Sequence, residues 1–167
     1  IVNIGFDLYC SLLKQAITKL KGEKVRSRLE VTLRTDFVAL REAEVVKAGK
    51  TMAAAFLPVS YIAEAQPRIQ AYRRLAEVAT QEGLEALRAT WRDRFGPLPR
   101  EVTNLLLLTE IKLSAAARKV TVVEVREEKV MLTRHGDFIQ IDGKFPRVSA
   151  AQPDERLREV LRLIRAL

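Results

Sequence analysis

Residues 89–104, ATWRDRFGPLPREVTN, end one helical pattern and begin another, and no chain carrying them can run through as a single helix. Upstream, Leu84, Leu87, Trp91 and Phe95 recur at helical spacing, which predicts an amphipathic helix over residues 83–95. Gly96 supplies a stop. Pro97 has no amide hydrogen with which to extend the helix, and Pro99 fits the first position of a new one, where an N–H would lack a partner anyway. Beyond it the apolar run of residues 102–108 continues through Ile111, Leu113 and residues 115–117, predicting a central helix buried on most sides. The chain must therefore place two separate helices on either side of a short turn.

The remaining elements follow from periodicity and turn residues. Residues 5–20 carry Phe6, Leu8, Tyr9, Leu12, Leu13, Ala16, Ile17 and Leu20 on one broad helical stripe, closed by Lys19, Lys21 and Gly22. Residues 29–33 alternate as a strand does, whereas residues 36–55 have weak periodicity and read as a strand or loop excursion rather than a core helix. Pro58 biases Leu57 away from helix, so residues 56–62 form an extended entry. A helix over residues 68–79 follows, with Ile69, Tyr72, Ala76 and Ala79 on one face and Arg73, Arg74 and Glu77 around the others. After the central helix, residues 120–125, 129–133, 138–141 and 144–148 read as short strands of an antiparallel meander. Their turns fall at Glu127-Glu128, His135-Gly136 and Asp142-Gly143. A last helix over residues 153–167 has Asp154 and Glu155 in its first turn and Leu157, Val160, Leu161 and Ile164 as its packing face. The expected class is α+β, with helices packed on a small, largely antiparallel sheet.

Composition excludes several chemistries. Cys10 and His135 are the only cysteine and histidine among 167 residues, so no Cys/His metal site and no intrachain disulfide can be built, and a reducing, cytosolic setting fits. No Ser/His/Asp set has support, because His135 sits in a predicted turn beside Gly136. Ala48-Gly49-Lys50-Thr51 resembles the tail of a phosphate-binding loop, but the glycine required five residues upstream is replaced by Glu44. No apolar run reaches membrane-spanning length, and the chain starts at Ile1 inside an apolar segment, as a piece of a longer protein would. The net charge of +8 makes an acidic partner plausible. Eight basic residues between Lys14 and Arg41 face three acidic ones, which reads either as a phosphate-binding patch or as a solvated helix end, loop and strand edge.

Three polar residues of the opening stretch sit where local stability would not place them. At ~100° per residue from Trp91, Asp93 falls at about 200° and Thr90 at about 260°, away from the core, with Arg94 between them and the apolar stripe. Asp93 also lies in the last helical turn, where a negative charge opposes the helix dipole. Trp91 reads as a core anchor. For Asp93 two readings stay open: a local pair with Arg92, Arg94 or Arg100, or a contact with a partner.

The segments FLPVSYIAEAQPRIQAYRRLA (residues 56–76) and RDRFGPLPREVTNLL (residues 92–106), in this order and at this separation, resemble the C-terminal domain of bacterial transcription-repair coupling factors, the Mfd family. GFDLYCSLLKQAI (residues 5–17) is similar to the segment that leaves the motor region in that family. The resemblance implies a division into residues 1–22, a helix leaving the upstream motor, and residues 23–167, the C-terminal domain. It implies a non-catalytic, autoinhibitory module that masks the UvrA-binding surface of a UvrB-like N-terminal domain during transcription-coupled nucleotide excision repair. ATP and Mg would belong to the DNA-translocating motor, with no cofactor in this segment. RNA polymerase and double-stranded DNA would be partners through the whole protein, in the cytoplasm and without a membrane. Partner-binding residues carry over at Asp93 and Arg94, which match the family pattern, and at Thr90, which stands where the family has a glutamate. One charged pair is thereby kept and another lost. Residues 35–55 are longer than the family pattern. The alternative from charge alone is a basic accessory DNA-binding module.

Overall fold

A computed structural model of the chain describes residues 31–167. The predicted helix of residues 5–20, Cys10 and the basic residues from Lys14 to Arg28 lie outside the described residues. Described elements run β1 (Thr32–Thr35), β2 (Val38–Ala39), α1 (Glu42–Ala48), β3 (Ala53–Ala54), α2 (Ala65–Glu77), α3 (Gln81–Phe95), α4 (Arg100–Ala117), β4 (Val120–Arg126), β5 (Lys129–Arg134), β6 (Asp137–Phe138) and α5 (Pro153–Arg165).

Helix α4 is the centre of the molecule. Val102, Leu105, Leu106, Ile111 and Ala115 on it have no solvent exposure, and it packs against α3, α5, β3 and β4. Its apolar residues occupy more than one stripe because neighbours cover it on several sides, as the long run predicted. Pro99 is the N-cap and Arg100 the first helical residue, one position later than expected. Within α4, Asn104 is the single buried polar side chain among the described residues. Its amide donates to the Ala54 carbonyl at 2.9 Å and to Asp154 Oδ1 at 3.2 Å, so one polar residue ties α4 to β3 and α5.

The main sheet has the order β1-β4-β5-β6. β4 pairs antiparallel with β5, and β5 with β6, while β1 pairs parallel to β4, so the sheet is largely but not wholly antiparallel. A register shift between Val120 and Val122 reverses the alternation in β4, which lets Val120, Val123 and Val125 all be buried. β2 and β3 form a separate two-stranded parallel ladder.

Several sequence expectations are corrected. The meander has three strands rather than four. β6 ends at Phe138, and residues 144–148 make only isolated bridges, Ile141 with Lys144 and Arg147 with Lys129. Pro146 accepts from Val130 N–H at 2.8 Å but has no amide hydrogen to give back, and further along the same edge of β5 is taken by the β6 segment, with Ile139 N–H donating to the Leu132 carbonyl at 2.8 Å. Of the strand expected at residues 29–33, residues 29–30 lie outside the described residues, and the described strand is Thr32–Thr35. Residues 36–55 hold two short strands and the surface helix α1, which buries no side chain; the excursion is not a core helix, but it is partly helical. In α2 the packing face is Ala71 and Leu75, with Tyr72 at its border, and Ile69 is exposed. Ala71 permits a closer approach than Ile69 would, and α2 ends at Glu77, so Ala79 lies off the helix. Helix α5 keeps its predicted face, with Leu157, Val160, Leu161 and Ile164 buried.

Candidate partner-binding face

The end of α3 is built from both sequence motifs. Thr80 caps its start, Oγ1 accepting from Gly83 N–H at 3.1 Å, and Leu84, Leu87 and Trp91 bury one face. At the other end Gly96 N–H donates to the Arg92 carbonyl at 3.0 Å and the backbone turns out at φ 93°, ψ −171°, a conformation open in practice only to glycine. From the first motif, the Tyr61 hydroxyl is shared between the carbonyls of Trp91 at 3.1 Å and Gly96 at 3.0 Å. Its ring packs edge-on against Phe95, with centroids 5.8 Å apart. Burial raises the Tyr61 pKa above its ordinary value, opposed by the nearby Arg92 charge, so the hydroxyl stays a donor.

Tyr61 is itself held. The segment before it closes into a turn, with Tyr61 and Ile62 N–H both donating to the Pro58 carbonyl. Arg68 donates to the Ile62 carbonyl at 2.8 Å and the Ala63 carbonyl at 3.2 Å, and the Tyr72 hydroxyl accepts from Leu57 N–H at 2.8 Å. The arginine and tyrosine of the first motif are therefore hooks that fix the approach to α3.

On the outer side of this unit, Thr90, Asp93 and Arg94 are all exposed. Thr90 is three residues from Asp93 and four from Arg94, so it neighbours both on the helix surface. Of the two readings open for Asp93, the local pair is not formed: Asp93 has no ion pair or hydrogen bond among the described residues, and Arg100 is engaged by Asp154. The Arg94 guanidinium lies over the Phe95 ring, 5.1 Å from its centroid. Thr90 Oγ1 donates back to the Ala86 carbonyl at 2.9 Å, which satisfies its hydrogen within the helix and leaves the oxygen's acceptor capacity outward. The face thus offers an unpaired carboxylate, a guanidinium resting on a ring, and a hydroxyl.

Other sequence candidates do not assemble into sites. The Gly49-Lys50-Thr51 turn follows helix α1 instead of opening one, and Thr51 Oγ1 donates to the Ala48 carbonyl at 2.6 Å, so no helix N-terminus is presented to a phosphate. His135 is exposed, at φ 54° in its turn. Of the basic stretch, the described members are Arg34, which borders a cavity of about 250 Å³ beside β1 and α4, and Arg41, paired with Glu44. Among the described residues no cluster of His, Cys, Asp or Glu could hold a metal, and no helix is long and apolar enough to cross a membrane. Sequence reasoning missed Tyr61, whose role needs the distance to Gly96, and Asn104. The only signal for Asn104 was a lone amide inside a leucine run.

Comparison with known proteins bears on this arrangement. Residues 51–141, which contain both Tyr61 and the α3 terminus, match the family model described as the TRCF domain. The chain is similar to the transcription-repair-coupling factor of Bacillus subtilis (strain 168), 30% identical over 146 residues that make up 85% of this chain and 11% of that protein. It is similar to that of Borreliella burgdorferi, 27% identical over 160 residues, 92% of this chain and 13% of that protein. The chain thus spans little more than a tenth of the length of these curated relatives. The fold is like that in the crystal structure of a C-terminal domain of transcription-repair coupling factor, with a TM-score of 0.50 at 16% identity, covering 83% of this chain and 98% of the other. The matched stretch is more than half of the chain and includes the whole candidate face, and the chain belongs to the TRCF domain family, the C-terminal domain of bacterial transcription-repair coupling factors.

Proposed function

We propose that this domain is a non-catalytic, autoinhibitory latch. Its α3 face covers the UvrA-binding surface of the UvrB-like N-terminal domain of the same protein until the motor engages. The observation that carries the reading is the exposed Asp93 carboxylate, which lies against the helix dipole at the end of α3, has no counter-ion among the described residues, and sits beside Arg94. A charge in that position destabilises its own helix slightly and is better satisfied by a cation on another surface. Alternating signs along Arg92, Asp93 and Arg94 select a partner of complementary alternation and disfavour a uniformly anionic one such as duplex DNA. A latch has to open, so its interface is moderate in size and rich in polar contacts rather than a second hydrophobic core. ATP, Mg and contacts to RNA polymerase and double-stranded DNA belong to the rest of the protein, in the cytoplasm. UvrA binding by the intact protein carrying Asp93→Ala and Arg94→Ala tests this. Tighter binding than that of the unmodified protein is expected; equal or weaker binding overturns the latch.

A further inference from the structure

We infer that Tyr61 is the positioning residue of this face, setting the directions of both Asp93 and Arg94 from outside the helix that carries them; the inference rests on the latch reading. The last turn of a helix is its least secure part, because its carbonyls have no partners further along and a terminal glycine adds freedom. The Tyr61 hydroxyl, 30 residues from Trp91 in sequence, draws the carbonyls of Trp91 and Gly96 to one oxygen. Those two carbonyls bracket Asp93, so the backbone under the carboxylate is held from both sides. The ring of the same tyrosine lies edge-on to Phe95 at an interplanar angle of 65°, and the Arg94 guanidinium rests over that Phe95 ring. Arg94 makes no ion pair among the described residues, so the ring is the contact that orients it. One residue thus holds the backbone that carries the carboxylate through its hydroxyl and supports, through its ring, the Phe95 ring on which the guanidinium rests.

Exposed ion pairs ordinarily contribute little because two long side chains must be ordered to form them. A pre-ordered presentation removes part of that cost before the partner arrives. Tyr61→Phe separates the two functions, since it keeps the ring and removes the shared hydroxyl.

The test is a double-mutant cycle on the intact protein, read as the apparent Kd for UvrA and accompanied by thermal unfolding of each variant. Tyr61→Phe is expected to tighten UvrA binding several-fold by weakening the latch, and to add nothing in an Asp93→Ala background, where the group it positions is gone. The same several-fold increment in both backgrounds indicates a general loss of stability and overturns the positioning role. If Asp93→Ala with Arg94→Ala opens the latch and Tyr61→Phe does not, the latch stands and Tyr61 is excluded. If Asp93→Ala with Arg94→Ala leaves UvrA binding unchanged, the latch reading fails and the positioning role fails with it.

Discussion

The side-chain amide of Asn104 lies 3.2 Å from Asp154 Oδ1, and this contact joins the most buried of the described helices to the first turn of α5. The same carboxylate takes a two-pronged contact from the Arg100 guanidinium, while the Asn104 amide also serves the Ala54 carbonyl. Three elements converge on one polar group in an otherwise apolar interior. A buried donor of this kind fixes register, since any sliding of α4 past α5 would leave it without acceptors.

Asn104→Ala should therefore cost about 1–3 kcal/mol, because the Ala54 carbonyl loses its side-chain donor in a site only 2% exposed and a small void remains. Urea unfolding followed by circular dichroism measures this. A change within about 0.5 kcal/mol, as at an ordinary surface site, contradicts it.

The two faces of α3 should separate cleanly on substitution. Trp91 is 2% exposed, and Trp91→Ala is expected to lose about 3–5 kcal/mol or prevent folding. Asp93→Ala, with no ion pair or hydrogen bond to lose among the described residues, should shift stability by about 0.5 kcal/mol or less, in the stabilising direction as a charge unfavourable to the helix dipole is removed. Thermal unfolding of both variants distinguishes a structural face from one reserved for a partner.

At Gly96 the backbone stands at φ 93° and ψ −171°, and a Cβ built there meets nothing within 4 Å. Conformational strain, and not crowding, governs replacement. Gly96→Ala should cost about 1–3 kcal/mol. It should also displace the carbonyl that Tyr61 holds, so amide exchange in the last turn of α3 should accelerate relative to the rest of that helix.

Glu159 on α5 receives Ser149 N–H at 2.7 Å, Ala150 N–H at 3.0 Å and the Ser149 hydroxyl at 3.2 Å. The Ala150 hydrogen bond is the largest cause holding its pKa below the ordinary 4.5; burial opposes the shift, and Ser149 and the Arg162 charge add to it. A carboxylate depressed on folding contributes stability that is fully present above its unfolded pKa and is lost as pH falls through the folded one. Unfolding midpoints measured from pH 6 downward should fall below about pH 4.5, and Glu159→Gln should flatten part of that slope while lowering the plateau.

Much of the fold was legible in residue order. Leu84, Leu87 and Trp91 mark α3, Leu157, Val160, Leu161 and Ile164 mark α5, and Gly96 with the two prolines separates α3 from α4. These are local signals, in which spacing alone states which side is apolar. The strand run at residues 144–148 failed because composition was β-like while Pro146 withheld a donor, a fact that matters only once a neighbouring strand is in place. The face of α2 failed for a related reason: Ile69 is the larger apolar side chain, yet Ala71 is the one that lets the helix approach its neighbours.

The sequence by itself determined the helix breaks, the class, the family pattern and the exposure of Thr90, Asp93 and Arg94, because periodicity and the backbone limits of glycine and proline act within a few residues. Only the tertiary structure decided that Asp93 has no partner among the described residues, that Arg94 rests on Phe95, and that Tyr61 and Asn104 join distant segments. Contacts across 30 to 50 residues depend on how loops close and elements pack, and no local spacing encodes those distances.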